Sequence, residues 1–193
     1  MLPMRKPFIV FLFLLPALGF GQYSFLMDIP KIDGESTVNI DTRVSLTKKP
    51  KAKNTKISSF SFSSSKAIYL GSSGIKKDFK AADFQPIEVQ LPIDKSITEW
   101  HERIFRGSTF PTLDLFMDKN GTPLTEVLHI KLFNVSVKQL SYGHSLDIPA
   151  YILTLNYDKI IYAVSKINTS GALIGVNQTC FDIKNGTTCT DTF

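Results

Sequence analysis

The stretch Phe84-Gln85-Pro86-Ile87-Glu88-Val89-Gln90-Leu91-Pro92-Ile93-Asp94-Lys95-Ser96-Ile97-Thr98-Glu99-Trp100-His101-Glu102-Arg103-Ile104-Phe105-Arg106-Gly107 carries two periodicities in succession. In its first part Ile87, Val89 and Leu91 alternate with Glu88 and Gln90, the period-two pattern of a strand with one buried face. Ile97, Trp100, Ile104 and Phe105 then recur at i, i+3, i+7 and i+8, which is one face of a helix. Ser96 and Glu99 are spaced for a capping box, each satisfying a backbone amide that the first helical turn leaves free. Gly107 stands where a left-handed C-terminal cap belongs. No other stretch reads as so well delimited a helix, so the pattern predicts one helix laid against an otherwise all-β body.

Outward from this stretch the chain reads as strands and turns. Residues 23–32 form an expected first strand closed by the turn pair Asp33-Gly34. Residues 57–70, in which Phe60 and Phe62 alternate with serines, read as one or two strands, and 71–82 as a Gly-, Ser- and Lys-bearing loop. Residues 109–117 are strand-like, and Asp118-Lys119-Asn120-Gly121 is a hairpin turn pattern, since Asn and Gly tolerate the positive φ such turns require. Residues 124–140 and 148–164 are the last two long strand regions, the first with Asn134 at an expected bulge. A meander of long strands at this spacing points to a closed or nearly closed barrel, which removes exposed edges.

The N-terminus reads as a targeting segment. Arg5 and Lys6 precede an apolar run over residues 8–20, and Gly19 and Gly21 supply small residues for cleavage between Gly21 and Gln22. The run is shorter than the roughly 20 apolar residues that span a bilayer, and Pro16 interrupts it. The expected organisation is a signal peptide over 1–21, a β domain over 22–165 and a C-terminal extension over 166–193. The mature chain is then exported to the periplasm or outside the cell, with no stable membrane anchor after cleavage.

Without Arg5 and Lys6 the chain retains 20 of its 22 basic residues against 17 acids, a net charge of +3. That mean conceals an asymmetry: residues 43–80 hold ten basic residues and one acid, while the flanks 22–42 and 81–193 are each net −3. Lys48, Lys49, Lys51 and Lys53 lie within six positions with no acid among them. One reading is a solvated loop kept soluble by its charge. The other is a contact surface for an acidic partner or a neighbouring subunit. Nucleic acid is excluded by the lack of interleaved aromatics or any binding motif. The only cysteines, Cys180 and Cys189, flank an Asn185-Gly186 turn and predict a disulfide in an exported chain. A metal pair is the alternative and lacks His or Asp at ligand spacing.

Little in the sequence points to catalysis. His101, His129 and His144 are scattered, and Gly143-His144-Ser145-Leu146-Asp147 departs from a nucleophile elbow at its final glycine. Glu99 and Glu102 belong to a solvated helix face. There is no phosphate loop, dinucleotide fingerprint or zinc-helix motif, so no enzyme and no cofactor is expected. The sequons at Asn134, Asn168, Asn177 and Asn185 matter only where a host glycosylates them.

Several blocks resemble a known family. Ile29-Pro30-Lys31-Ile32-Asp33-Gly34-Glu35-Ser36-Thr37 resembles the opening of the haemolysin-coregulated proteins (Hcp), tube subunits of the type VI secretion system. Ile57-Ser58-Ser59-Phe60-Ser61-Phe62 is similar to that family's second strand motif. Residues 82–96 are similar to its most recognisable internal block, and Leu153-Thr154-Leu155-Asn156-Tyr157-Asp158-Lys159-Ile160 to its closing strand. The blocks follow family order over roughly residues 24–164.

The resemblance implies a small antiparallel β-barrel of two sheets with one flanking α-helix, and no catalytic site. It implies self-association into rings, hexameric in the family, that stack into a tube, and contacts with other secretion-apparatus components or effector cargo. The loop after the first strand region takes part in ring stacking in that family, a role that falls here on Lys48, Lys49, Lys51 and Lys53. In a stack these charges repel unless they meet acids such as Asp28, Asp33, Glu35 or Asp41 of a neighbour. A monomeric extracellular binding module that keeps the barrel without a tube is the competing expectation.

Overall fold

The alternation around Val89 becomes a strand and the following periodicity a helix, each seated on the same core. The protein, seen in a computed structural model, is described over residues 23–66, 68–70, 77–79, 82–145 and 148–193. The expected signal peptide, with Gly21 and Gln22, and most of the 71–82 loop lie outside the described residues. In chain order the strands before the helix are β1 (Tyr23–Asp28), β2 (Thr55–Ile57), β3 (Ser59–Ser61), β4 (Ser64–Ser65), β5 (Ile68–Leu70), β6 (Lys77–Phe79), β7 (Asp83–Phe84) and β8 (Ile87–Pro92). The helix α1 (Ser96–Arg106) is followed by β9 (Thr109–Lys119), β10 (Thr125–Ser145), β11 (Ile148–Asn156), β12 (Lys159–Ile167), β13 (Leu173–Asp182) and β14 (Thr187–Thr188).

The strand pairings close on themselves. β1 pairs β9, β9 pairs β10, β10 pairs β11, β11 pairs β8 and β8 pairs β3, all antiparallel. β3 is separated from β2 only by Ser58, whose amide donates to the Gln90 carbonyl at 2.9 Å, and β2 returns to β1. The result is the small antiparallel barrel expected from the strand spacing, with one flanking helix. The same ten-stranded sheet branches at β10, which pairs β12 through residues 128–133 and β11 through residues 136–145, and β12 carries β13 and β14 outward. β11 and β12 thus act as one long antiparallel partner of β10, bent midway.

Asn134 sits at that bend with φ 50°, in the left-handed region that Asn tolerates better than most residues. Its Nδ2 donates to Asp158 Oδ2 at 3.2 Å, and the Asp158 amide donates to the Phe133 carbonyl. No register shift falls there. The shifts in β10 lie at Glu126/Leu128 and Val137/Gln139, so Asn134 turns the barrel corner rather than forming the expected bulge.

The barrel interior collects the period-two residues of each strand: Ile87, Val89 and Leu91 from β8, Leu113 and Leu115 from β9, Ile130 and Leu132 from β10, Leu153 and Leu155 from β11. Trp100 of α1 is fully buried in the same cluster and meets Phe110 edge-on at 5.5 Å. Ile97 is buried beside it, whereas Phe105, expected on the buried face, is 83% exposed. The helix is short and rests on the barrel near its first two turns, so the apolar stripe outruns the surface that covers it.

Other expectations change in detail. The helix start uses Asp94, whose Oδ1 accepts the Ser96 amide at 2.9 Å and the Ser96 hydroxyl, so no Ser96–Glu99 capping box forms. The C-terminal cap is as read: Gly107 has φ 60° and its amide donates to Ile104 and Arg103 carbonyls. The first turn comes earlier than Asp33-Gly34, at Pro30 and Lys31, with Lys31 at φ 70° between the bridged Ile29 and Ile32. Gly34 instead permits a close approach, because a Cβ there would stand 2.5 Å from the Asn54 carbonyl oxygen. The sheet also runs on past 148–164, the last long strand region expected, into β13.

Candidate interaction surfaces

β9 alternates in both directions. Leu113 and Leu115 face the core, while Asp114, Phe116 and Asp118 project from the opposite side. An outward face should be wet, yet Asp114, Phe116 and Asp118 are buried, as are Asp28 of β1 and Glu126 and His129 of β10. The segment 43–54, at the start of the basic run, covers them. It is held at its start by a parallel bridge, with the Val44 amide on the Leu124 carbonyl at 2.8 Å and the Glu126 amide on the Val44 carbonyl at 3.0 Å.

Arg43 is the centre of the contact. Its Nε and Nη2 donate to both oxygens of Asp118 at 2.8 Å, and Nη2 also reaches Glu126 Oε2 at 3.0 Å. The planar guanidinium fits this two-pronged recognition, and its carbon lies 4.9 Å from the Phe116 ring centre. Glu126 Oε2 further accepts from Ser45 and Thr47 hydroxyls, each at 2.6 Å. Buried charges of this kind persist only when paired and hydrogen-bonded, which these are.

The expected contact lysines lie in the same segment. Lys48 Nζ donates to Asp114 Oδ2 at 2.7 Å and stands 3.6 Å from Asp28. Lys51 Nζ donates to the Ile29 and Ile32 carbonyls and lies 3.8 Å from Asp28, while its amide donates to Asp28 Oδ2. Lys53 pairs with exposed Asp33 at 3.2 Å, and Lys49 reaches only the Asp41 carbonyl, at 3.3 Å. Two of the acids expected to meet these lysines from a neighbour, Asp28 and Asp33, are therefore engaged within the chain.

His129 completes the network. Its Nε2 is 2.9 Å from Asp114 Oδ1 and its Nδ1 2.8 Å from Thr47 Oγ1. Burial pushes the imidazole below its ordinary value, and the Asp114 hydrogen bond only partly opposes this. For Asp114, burial works upward but the hydrogen bonds from His129 and Lys48 prevail and hold the carboxyl below the usual carboxylate range. Lys48 is pushed down by its partial burial, but Asp114 prevails and leaves it raised.

Thr47, His129 and Asp114 share the hydroxyl–imidazole–carboxylate connectivity of an acyl-transfer triad. The Thr47 oxygen, however, abuts the Glu126 carboxylate, which disfavours an alkoxide. The ring is packed against Phe116 at 4.3 Å and Phe193 at 4.0 Å, with no exposed surface for a substrate. The chain of bonds fastens the loop. In sequence His129 reads only as a scattered histidine, Asp118 as a turn residue and Arg43 as the start of the basic run, and Asp114 and Glu126 carry no expectation. Their trace was there in the period-two placement of Asp114 and Asp118 within an apolar strand.

At the other end of the sheet Cys180 and Cys189 form the expected disulfide, joining β13 to the residue that follows β14. An Asp191 carboxylate oxygen does lie within 4.8 Å of both sulfurs, contrary to the sequence reading, but sulfurs bonded to each other do not bind a metal as thiolates. Asp191 instead pairs with Lys159 at 2.6 Å. A small aromatic cleft of about 170 Å³ lies between β7 and β12–β13, lined by Phe62, Phe84, Tyr162 and Phe181. Among the described residues no helix is long and apolar enough to cross a membrane.

Residues 26–163 match the family model described as type VI secretion system effector, Hcp. No curated protein resembles the chain significantly in sequence. Among solved structures, one titled as a type six secretion system protein superposes with TM-score 0.73 at 16% identity, covering 86% of this chain and 99% of that one. Hcp1 from Salmonella typhimurium gives 0.65 at 16% identity, covering 88% and 100%. A type VI secretion system effector from Yersinia pestis gives 0.59 at 16% identity, covering 82% and 98%. At these identities the likeness is one of fold.

Proposed function

We propose, because the chain belongs to the Hcp family of type VI secretion effectors, that it is an exported, non-enzymatic member that self-associates into rings as a tube or carrier component. The observation that carries this reading is the family match over residues 26–163, which spans the barrel and α1. The solved relatives of the same fold, among them Hcp1 from Salmonella typhimurium, support it. The buried carboxylates and His129 serve to fasten the basic loop and offer no open catalytic group, consistent with a structural role.

Export belongs to the same reading. A signal peptide over residues 1–21 delivers the mature chain from Gln22 outside the cytoplasm, where the Cys180–Cys189 bond is stable. N-terminal mapping of the protein recovered outside the cytoplasm returns Gln22 on this account, and an intact Met1 on a cytoplasmic protein contradicts it.

One observation favours a second reading, a monomeric extracellular binding module. Lys48, Lys51 and Lys53 all pair with acids of their own chain, and among the described residues Lys49 reaches only a main-chain carbonyl. Size-exclusion chromatography with light scattering separates the two. The ring reading predicts a mass several times that of the chain, and a strictly monomeric species at high concentration removes it.

A further inference from the structure

β13 has one edge bonded to β12 along residues 173–182, while its other edge carries only the two-residue β14. The Cys189 amide donates to the Cys180 carbonyl at 3.2 Å, and Asp182 pairs with Thr187, so even-numbered residues of β13 turn their main-chain groups to this outer edge. By the period of a strand Val176 and Gln178 do the same. A register shift opposite Lys166 and Ile167 places Ile174 in a bulge, which ends the regular edge. Among the described residues nothing pairs with the outer amides and carbonyls of Val176 and Gln178.

Exposed edges are ordinarily blunted by charge, proline or coverage. The segment 175–180 contains no charged residue and no proline, and Asn177, Gln178 and Thr179 are exposed. Without Arg5 and Lys6 the net charge is +3, its excess lies in residues 43–80, and this strand brings no charge against a second copy.

We infer that this edge is a two-fold contact in which β13 of one copy pairs antiparallel with β13 of a second, centred on Asn177. In that register Val176 of each copy faces Gln178 of the other as a hydrogen-bonded pair, and the two pairs exchange four main-chain hydrogen bonds. Asn177 faces its own symmetry mate as a non-hydrogen-bonded pair, at the closer Cα spacing. The contact is isologous, because the same patch serves both copies. It is distinct from a ring contact, which joins two different patches, and does not depend on rings forming. A second copy is the fitting occupant because the edge is self-complementary in both hydrogen bonding and charge.

Cross-linking tests this directly. Antiparallel non-hydrogen-bonded partners stand within disulfide reach, so Asn177→Cys under mild oxidation should run mainly at twice the chain mass on a non-reducing gel. Gln178→Cys projects from the opposite face and should stay single. With the native cysteines alone, Val176→Pro deletes one outward amide per copy and leaves the β12 ladder intact. It should weaken pairing roughly tenfold in dissociation constant, with unchanged thermal unfolding. Equal cross-linking at 177 and 178, or none at 177, overturns the inference. A ring that forms while Asn177→Cys stays single sinks the two-fold contact alone, and a cross-linked dimer without rings sinks the ring reading alone.

Discussion

Arg43 is the residue on which the basic loop depends. Its guanidinium is fully buried against Asp118 and Glu126, and removing it leaves two carboxylates uncompensated in the same place. Losing one partner of such a buried pair costs about 3–5 kcal/mol, so Arg43→Ala should lower the urea midpoint substantially, and Arg43→Lys should restore only part of it because an ammonium lacks the fork. His129 sets a pH dependence. Its folded value is lowered, so as pH falls through the ordinary histidine range near 6.5 the unfolded chain takes the proton first and folding loses stability. Asp114, also lowered, stabilises the fold above the ordinary carboxylate value of 3.8, and that contribution disappears as pH falls through its depressed value. Denaturation midpoints should thus decline between pH 7 and 5 in the parent, and the decline should be smaller in His129→Gln. A parent whose midpoint rises on acidification over that range contradicts the lowered value at His129. These residues were hard to read in sequence because charge in a strand normally marks its wet face, and only the fold-back of residues 43–54 makes that face dry.

At the scale of elements, the period-two and period-3.6 patterns marked β8 and α1 because burial imposes them directly: Ile87, Val89, Leu91 and Trp100 are all fully buried. The C-terminal cap was legible for the same kind of reason, since φ 60° at residue 107 favours glycine. Gly107→Ala should cost about 1 kcal/mol, read from thermal unfolding, and Trp100→Ala about 3–5 kcal/mol through the cavity it leaves in the core. What stayed hidden were elements set by distant partners. β13 carries polar residues through its middle because one of its faces is open to solvent, and it exists because β12 offers an edge. Its disulfide closes a nine-residue separation, so a Cys180→Ser and Cys189→Ser double variant should lose roughly 2–3 kcal/mol by the chain-entropy argument. An unchanged unfolding midpoint in that variant would mean that the Lys159–Asp191 pair and the β13–β14 turn hold the tail without it.

For the whole molecule, the sequence-level barrel and its closing strands hold, since the meander of long strands leaves few alternatives that bury both Leu113–Leu115 and Leu153–Leu155. How copies meet is written less plainly. If stacking uses the basic loop, Lys49 and the solvent-exposed Lys53–Asp33 pair carry it, because Lys48 and Lys51 are bound to the loop's own floor. Lys49→Glu with Lys53→Glu should abolish end-to-end stacking and leave single rings and their stability unchanged. Salt should weaken stacking in the parent, as the Debye length falls to about 3 Å at 1 M. Equal stacking by parent and variant across that salt range would reduce the loop to a solvated cover. The most direct test of the central claim is electron microscopy of the purified mature protein. Self-association of the Hcp kind predicts closed rings with six-fold symmetry in projection, and a field of single barrels at concentrations where light scattering is also monomeric contradicts it.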